Sequence, residues 1–325
     1  MKKIGFVVVL LIPVHLILAC CMVPRTYKGT IHQNTQEAVI FHDRGMQDMI
    51  LRINYEIDGE GAPDRFAWII TVPNEPERYA VADAKVYEEV FAWADPLVQP
   101  PRPRGLFKNL AEDAAVDDQR DLAFSEPVKV GPYDIQPVKV KGAEALGELN
   151  AWLSKNDFPT EDPKHMKYFA ENGFTFLCIK INPAKGQAAV GTDGDLEPLH
   201  LSFKSEDVYY PLRFSSRQGV FDVNLTVLTR EKLDYRKSAA NLNKIGWSAR
   251  DLKKNVVVSR DDFPEALAAA YAHSSFNKLA EKHWHLNVIR TRHTNRGNTI
   301  AKWDADVFFQ TGGKPAKAAK RFLLF

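Results

Sequence analysis

The sequence predicts an α+β fold in which antiparallel or mixed sheets are covered by a few packed helices, and three observations carry the prediction. First, over 48–57 the residues Met49, Leu51, Ile53, Tyr55 and Ile57 alternate with Arg52, Asn54 and Glu56. A period of two gives a strand one apolar and one wet face. Second, Phe66-Ala67-Trp68-Ile69-Ile70-Thr71-Val72 has no polar face. It is expected as a central strand covered on both sides and ended by Pro73, which has no N–H to offer a ladder. Burying Phe66, Trp68 and the isoleucines contributes on the order of 2 kcal/mol each, so the core is expected to start here. Third, helical spacing interrupts the strands: Val86, Tyr87, Val90 and Phe91 fall on one face, as do Leu146, Leu149 and Leu153 with Trp152 beside them.

In chain order, Ala38-Val39-Ile40-Phe41-His42 and the turn at Gly45 predict a hairpin with the strand after Asp48, and 66–72 completes an antiparallel meander. Asp83 stands where a helix N-cap belongs, and that helix is expected to stop before Asp95-Pro96. Residues 99–127 carry Pro100, Pro101, Pro103 and Gly105, then an acidic polar run, and read as a solvated loop or linker. Short strands follow over 128–133 and 135–140, then the leucine helix, then a second helix over 164–171 closed by Asn172-Gly173. Strands are expected over 174–181, 199–203, 209–214 and 221–227. Residues 263–282 predict one or two helices, 284–291 and 299–309 a hairpin around Asn295-Arg296-Gly297, and the end from Gly312 a loose tail. The organisation that results is two sheet-containing lobes, 20–98 and 128–230, joined by the 99–127 linker and followed by a C-terminal region of helices, hairpin and tail, 231–325.

With 325 residues, 45% apolar and 26% charged, the composition is that of a globular protein. Lys2 and Lys3 precede an apolar run over 4–18 that ends at Ala19-Cys20-Cys21. Residues 1–19 therefore read as an export signal, its apolar part too short to span a bilayer. Without those two lysines the chain holds 41 basic and 41 acidic side chains, so net charge gives no support to a nucleic-acid partner.

The ending Ile17-Leu18-Ala19-Cys20 is similar to a bacterial lipobox, in which the cysteine becomes diacylglyceryl-modified and N-terminal after cleavage. The register Leu18-Ala19-Cys20-Cys21 fits the first two places better but puts Cys20 where a small residue belongs, and we take Cys20 as the anchor. Two or three acyl chains, at about 0.8 kcal/mol per buried methylene, hold a protein on a membrane. The alternative is ordinary signal cleavage, which leaves a soluble exported protein with a Cys21–Cys178 disulfide. Cys178 by itself, inside an expected strand, reads as a small buried hydrophobe.

The ordered blocks Cys-Met-Val-Pro at 21–24, Asp64-Arg65-Phe66-Ala67-Trp68 leading to Val72-Pro73, Ala-Trp-Leu in the 146–153 helix, 176–181, and Leu199-His200-Leu201-Ser202-Phe203 before Tyr210-Pro211-Leu212-Arg213 resemble a bacterial exported family, domain of unknown function 2330. The resemblance covers about 20–229 and departs from the family pattern at Ile70-Thr71, where relatives tend to have Val-Pro. It implies export and a mixed sheet fold, and brings no catalytic residues with it.

Three constellations offer chemistry. His283 and His285 share a strand face, with His293 near the following turn. The pair could hold zinc if a third ligand approached, but no carboxylate or cysteine stands at a helpful spacing, and we read them as strand histidines. Asp193, Asp195 and Glu197 lack the spacing of a calcium loop and read as a polar turn. Trp68, Trp93 and Trp152 fit the core, while Trp247, Trp284 and Trp303 leave an aromatic groove open. The sequence contains no G-x-S-x-G elbow, phosphate loop, H-E-x-x-H helix or dinucleotide fingerprint, and no cofactor is expected. The expectation is a cell-envelope lipoprotein, tethered at the outer membrane or a periplasmic face, whose body binds an envelope protein or a small ligand. The competing class is an exported hydrolase or metal-dependent enzyme built on His283 and His285.

Overall fold

The computed structural model describes residues 20–59, 63–98, 126–139, 144–181 and 193–316. The expected signal at 1–19 and nearly all of the expected linker lie outside the described residues.

In chain order the elements are β1 (Cys21–Met22), β2 (Gly29–Asp43), β3 (Met46–Gly59), β4 (Phe66–Val72), β5 (Arg78–Val81), α1 (Val86–Val98), β6 (Val128–Val130), β7 (Tyr133–Lys139), α2 (Glu144–Lys155), α3 (Pro163–Glu171) and β8 (Thr175–Ile181). Then come β9 (Asp193–Asp195), β10 (Leu199–Lys204), β11 (Val208–Tyr210), β12 (Phe221–Thr229), β13 (Glu231–Leu233), α4 (Tyr235–Lys244), β14 (Val256–Ser259), α5 (Glu265–Ala272), β15 (His283–Thr294), β16 (Val307–Phe309) and β17 (Thr311–Pro315). This is α+β: a larger sheet in the order β14-β15-β12-β2-β3-β10-β5, with β9 also on β3, and a smaller one in the order β1-β4-β8-β7-β6. Two short pairs, β11 with β16 and β13 with β17, complete it.

The long β2–β3 hairpin is the spine of the larger sheet, and Arg44 and Gly45, both at positive φ, make its turn. Arg52, Asn54, Glu56 and Asp58 leave one side of outer β3 partly or fully wet, as the alternation predicts. Nearer the turn both sides are dry. Met49 and Leu51 face the smaller sheet, while Ile50, Val39 and Phe41 pack with Tyr87 and Val90 of α1 and Leu267 and Tyr271 of α5. Phe41 meets Phe263, Tyr271 and Trp284 at ring-centroid distances of 5.4 to 6.0 Å.

β4 is buried along its whole length, as expected of a central strand. Its neighbours, however, are β1 and β8, and the meander does not continue from β3 into β4. The two sheets meet through contacts such as Tyr55 against Phe66, 5.0 Å between ring centroids. Two sheets are present, yet neither belongs to one half of the chain. The larger sheet joins β2 and β3 to β10 and β12, and the smaller joins β4 to β7 and β8. Each sheet thus takes strands from both sides of the 99–127 segment. β12 lies parallel to β2 and is the parallel pairing that makes the sheet mixed.

Further differences have local causes. α1 runs through Pro96 to Val98, because a proline in the last turn forfeits only one ladder bond. The expected hairpin of 284–291 with 299–309 does not form. β15 pairs with β12 and β14, whereas β16 leaves that sheet to pair with β11. The expected loose tail begins as β17, which pairs with β13, and 317–325 lie outside the described residues. α4 has an Asp234 cap that accepts from the amides of Arg236 and Lys237, and it was not expected because its apolar stripe is thin.

Candidate functional site

The residue singled out as an anchor, Cys20, lies at the centre of a buried polar network between the sheets. A β-bulge in β2 between Gln33 and Thr35 creates it. One extra residue shifts the alternation, so that Ile31 and Gln33 before the bulge, and Gln36, Ala38 and Ile40 after it, all face the smaller sheet. Gln33 and Gln36 become neighbours, with Nε2 of Gln36 donating to Oε1 of Gln33 at 2.9 Å. That same oxygen accepts from the Cys20 thiol at 2.8 Å, and Oε1 of Gln218 accepts from the thiol at 3.3 Å. Gln36 also donates to Oγ of Ser215 at 2.9 Å and accepts from the Tyr210 hydroxyl at 2.8 Å.

The walls are fixed from three directions. Ser215 sits on a 3-10 turn, Arg213–Arg217, whose continuation is pinned by Asn295 donating to the carbonyls of Ser216 and Gln218. Gln218 in turn donates to the Gln33 carbonyl. On the third side, the Ile69 amide of β4 donates to the Cys20 carbonyl at 2.8 Å, extending the β1 pairing of Cys21 with Trp68 and Met22 with Ala67. Cys20, Gln33, Gln36, Ser215, Gln218 and Tyr210 are all at most 6% exposed. The remaining space, lined by Trp68, Tyr210, Phe214 and Ser215 among others, is about 20 Å³, room for about one water molecule. The neighbouring Cys21 thiol, by hydrogen bonding, draws Cys20 below the ordinary thiol range, while burial pushes Cys21 well above it.

A second buried cluster lies on the other face of the larger sheet. Oδ1 of Asp48 accepts from Ser202 Oγ at 2.5 Å and pairs with His200 Nε2 at 2.9 Å, with Arg78 Nη2 at 3.6 Å. Oδ2 accepts from the Ser275 amide at 3.1 Å. Strand register explains the row, since Asp48 stands opposite Ser202 and Ser202 opposite Arg78. Burial works to raise the Asp48 carboxyl, but the bonds from His200, Ser202 and Ser275 outweigh it and hold it below the usual range. His200 and Ser202 both address the carboxylate, so the three do not form a serine-to-histidine relay. Another buried carboxylate, Asp306, accepts from the amides of Leu212 and Arg213 at 2.8 and 2.6 Å and from the Tyr209 hydroxyl at 2.9 Å.

Glu161 is buried as well, at 3% exposure. Burial raises its carboxyl to about 7, although Arg217 lies 3.4 Å away. A carboxyl whose pKa rises on folding binds more protons in the native state between about 4.5 and 7, so its contribution to stability falls as pH rises through that window. We expect stability to drop by up to about 3 kcal/mol from this group between pH 4.5 and 7.5. Denaturant unfolding at both pH values checks it, and Glu161→Gln is expected to flatten the dependence.

The other predicted site residues are not brought together. All three cysteines are free and buried. Cys21 stands opposite Trp68 on one side of β4, and Cys178 opposite Ile69 on the other. Two strand spacings, about 9.6 Å, exceed the reach of about 7 Å between bridged Cα atoms, so the Cys21–Cys178 disulfide of the alternative reading is absent here. His285 is buried with Nδ1 2.8 Å from Oδ1 of Asn255, and His283 lies two residues away opposite Ser259. His293 is exposed at the far end of β15, about 26 Å along the strand from His285. Among the described residues no cluster of three or more histidines, cysteines or carboxylates could hold a metal. Asp193 and Asp195 belong to β9, paired to β3, not to a turn. Trp247, Trp284 and Trp303 are buried, at 3%, 0% and 3% exposure, and form no open groove.

A family model described as an uncharacterised protein conserved in bacteria, domain of unknown function 2330, matches residues 16–280. The chain belongs to this family. The match to domain of unknown function 2330 spans the Cys20 network as far as Gln218 and the whole Asp48 cluster; Asn295 and Asp306 lie beyond it. No curated protein matches the chain. Among solved structures, the crystal structure of baculovirus P35 aligns at 10% identity and a TM-score of 0.41, covering 89% of this chain and 98% of that one. The crystal structure of the caspase-8/P35 complex aligns at 8% identity and a TM-score of 0.43, covering 86% and 96%.

Proposed function

We propose that this member of the family is an exported bacterial lipoprotein, tethered to the cell envelope through a diacylglyceryl group on Cys20, whose α+β body is a binding module for an envelope protein or a small ligand. The observation that carries the reading is the N-terminal pattern, Lys2 and Lys3 followed by an apolar run over 4–18 that ends in the lipobox-like Ile17-Leu18-Ala19-Cys20. The buried polar groups support a scaffold role for the body. Asp48 fastens the turn at Ser275 to the sheet, and Asp306 fastens the turn at Leu212 and Arg213, so both are used within the fold.

Fractionation of expressing cells tests the tether. Wild type is expected in the membrane fraction and to stay there through an alkaline wash, while Cys20→Ser is expected to leave it. Wild type recovered in the soluble fraction would end the proposal.

A further inference from the structure

Resting on the lipoprotein reading above, we infer that lipidation of Cys20 and docking of β1 are mutually exclusive, so that the lipidated protein has Cys20–Met22 released from β4 and the Gln33–Gln36–Gln218 pocket open. The pocket is built for a free thiol. The Cys20 sulfur donates its proton to Gln33 Oε1 and Gln218 Oε1, and the space beside it holds about one water molecule.

Lipidation removes both conditions. When a phospholipid supplies the diacylglyceryl group, a C–S bond forms at Sγ, the glyceryl C–O bond to phosphate breaks, and the thiol proton leaves with the released phosphate ester. The thioether has no S–H, so Gln218 Oε1 loses the donor it has here. Cys20 is 3% exposed and the space beside it is about 20 Å³, so a glyceryl carbon with its acyl chains does not fit while the sulfur stays between Gln33 and Gln218. The sulfur must therefore turn outward.

What holds it is the burial of Cys20, Cys21 and Met22, at 3%, 2% and 3% exposure, and a short run of backbone pairing. β1 is two residues long, at the edge of its sheet, joined to β4 at Cys21–Trp68 and Met22–Ala67 and by the Ile69 amide on the Cys20 carbonyl. The next hydrogen-bonded anchor is three residues beyond Met22, where Arg25 donates its amide to the Asp157 carbonyl at 2.8 Å and Thr26 its hydroxyl to the Asp157 carboxylate at 3.0 Å. Residues 20–24 thus form a tether that is docked when the thiol is free and released when it is modified. Release uncovers Cys21, which is 2% exposed when docked, and the backbone edge of β4, which is a template for an added strand.

The experiment compares purified lipidated wild type with full-length Cys20→Ser, whose hydroxyl still offers one proton to the glutamine oxygens. Hydrogen exchange at the Ile69 amide and alkylation of Cys21 by a maleimide are followed in the same detergent, after intact mass has established the lipid. Exchange at Ile69 is expected on the order of 100-fold faster in the lipidated protein, and Cys21 is expected to react there and to resist in Cys20→Ser. Equal protection of Ile69 and Cys21 in both proteins would overturn the inference while leaving the tether in place. Absence of lipid from wild type would overturn both.

Discussion

Asp48→Ala is expected to cost about 4 kcal/mol, seen as a fall in the urea midpoint at unchanged slope. The carboxylate is fully buried, accepts from Ser202 Oγ and from the Ser275 amide, and pairs with His200 and Arg78. Its removal strands buried donors from β10, His200 and Ser202, and from the turn at Ser275, and each unsatisfied group costs about 1–3 kcal/mol. Against a total stability of about 5–15 kcal/mol this is a large fraction. The same group fixes an acid limit. The carboxyl is held below its ordinary value, so its contribution is complete above about pH 4 and is lost as pH falls through the depressed native pKa. Asp48→Asn is expected to remove that acid dependence. A loss under 1 kcal/mol for the alanine variant would mean that the cluster does not fasten the sheet.

Asp306→Ala is the second large effect, expected at about 3 kcal/mol. It strips the acceptor from two backbone amides, Leu212 and Arg213, at the head of the turn that carries Ser215. Tyr209 keeps the Thr71 carbonyl at 3.0 Å, so its hydroxyl is not stranded. Because that turn is one wall of the Cys20 pocket, the variant is also expected to raise hydrogen exchange over 212–218. Burial lifts the Asp306 carboxyl to about 6, and a calorimetric midpoint that declines from pH 5 to pH 7 in wild type but less steeply in the variant is the accompanying sign.

The local elements were legible because their causes are local. Alternation found β3, an unbroken apolar run found β4, and leucines at helical spacing found α2. What the sequence withheld is pairing between distant segments. Nothing in 66–72 says whether β4 pairs with β3 or with β8 more than a hundred residues on, since a dry strand suits either. The polar sites were hidden for related reasons. His200 and Ser202 stand two apart in an apolar strand, so they share a face, and two polar residues on one face of a buried strand were the available signal. Gln33 and Gln36 gave less. Three apart in a strand they should face opposite ways, and only the bulge at 33–35 turns them together. Cys20 was found by its place after an apolar run, and its pocket only by folding.

Intact mass of the mature protein, with its N-terminal residue determined, tests the central claim most directly. The expected result is a chain that begins at Cys20 and carries the added mass of a diacylglyceryl group, lost in Cys20→Ser. A mature chain with three unmodified cysteines, whether it begins at Cys20 or elsewhere, would contradict it.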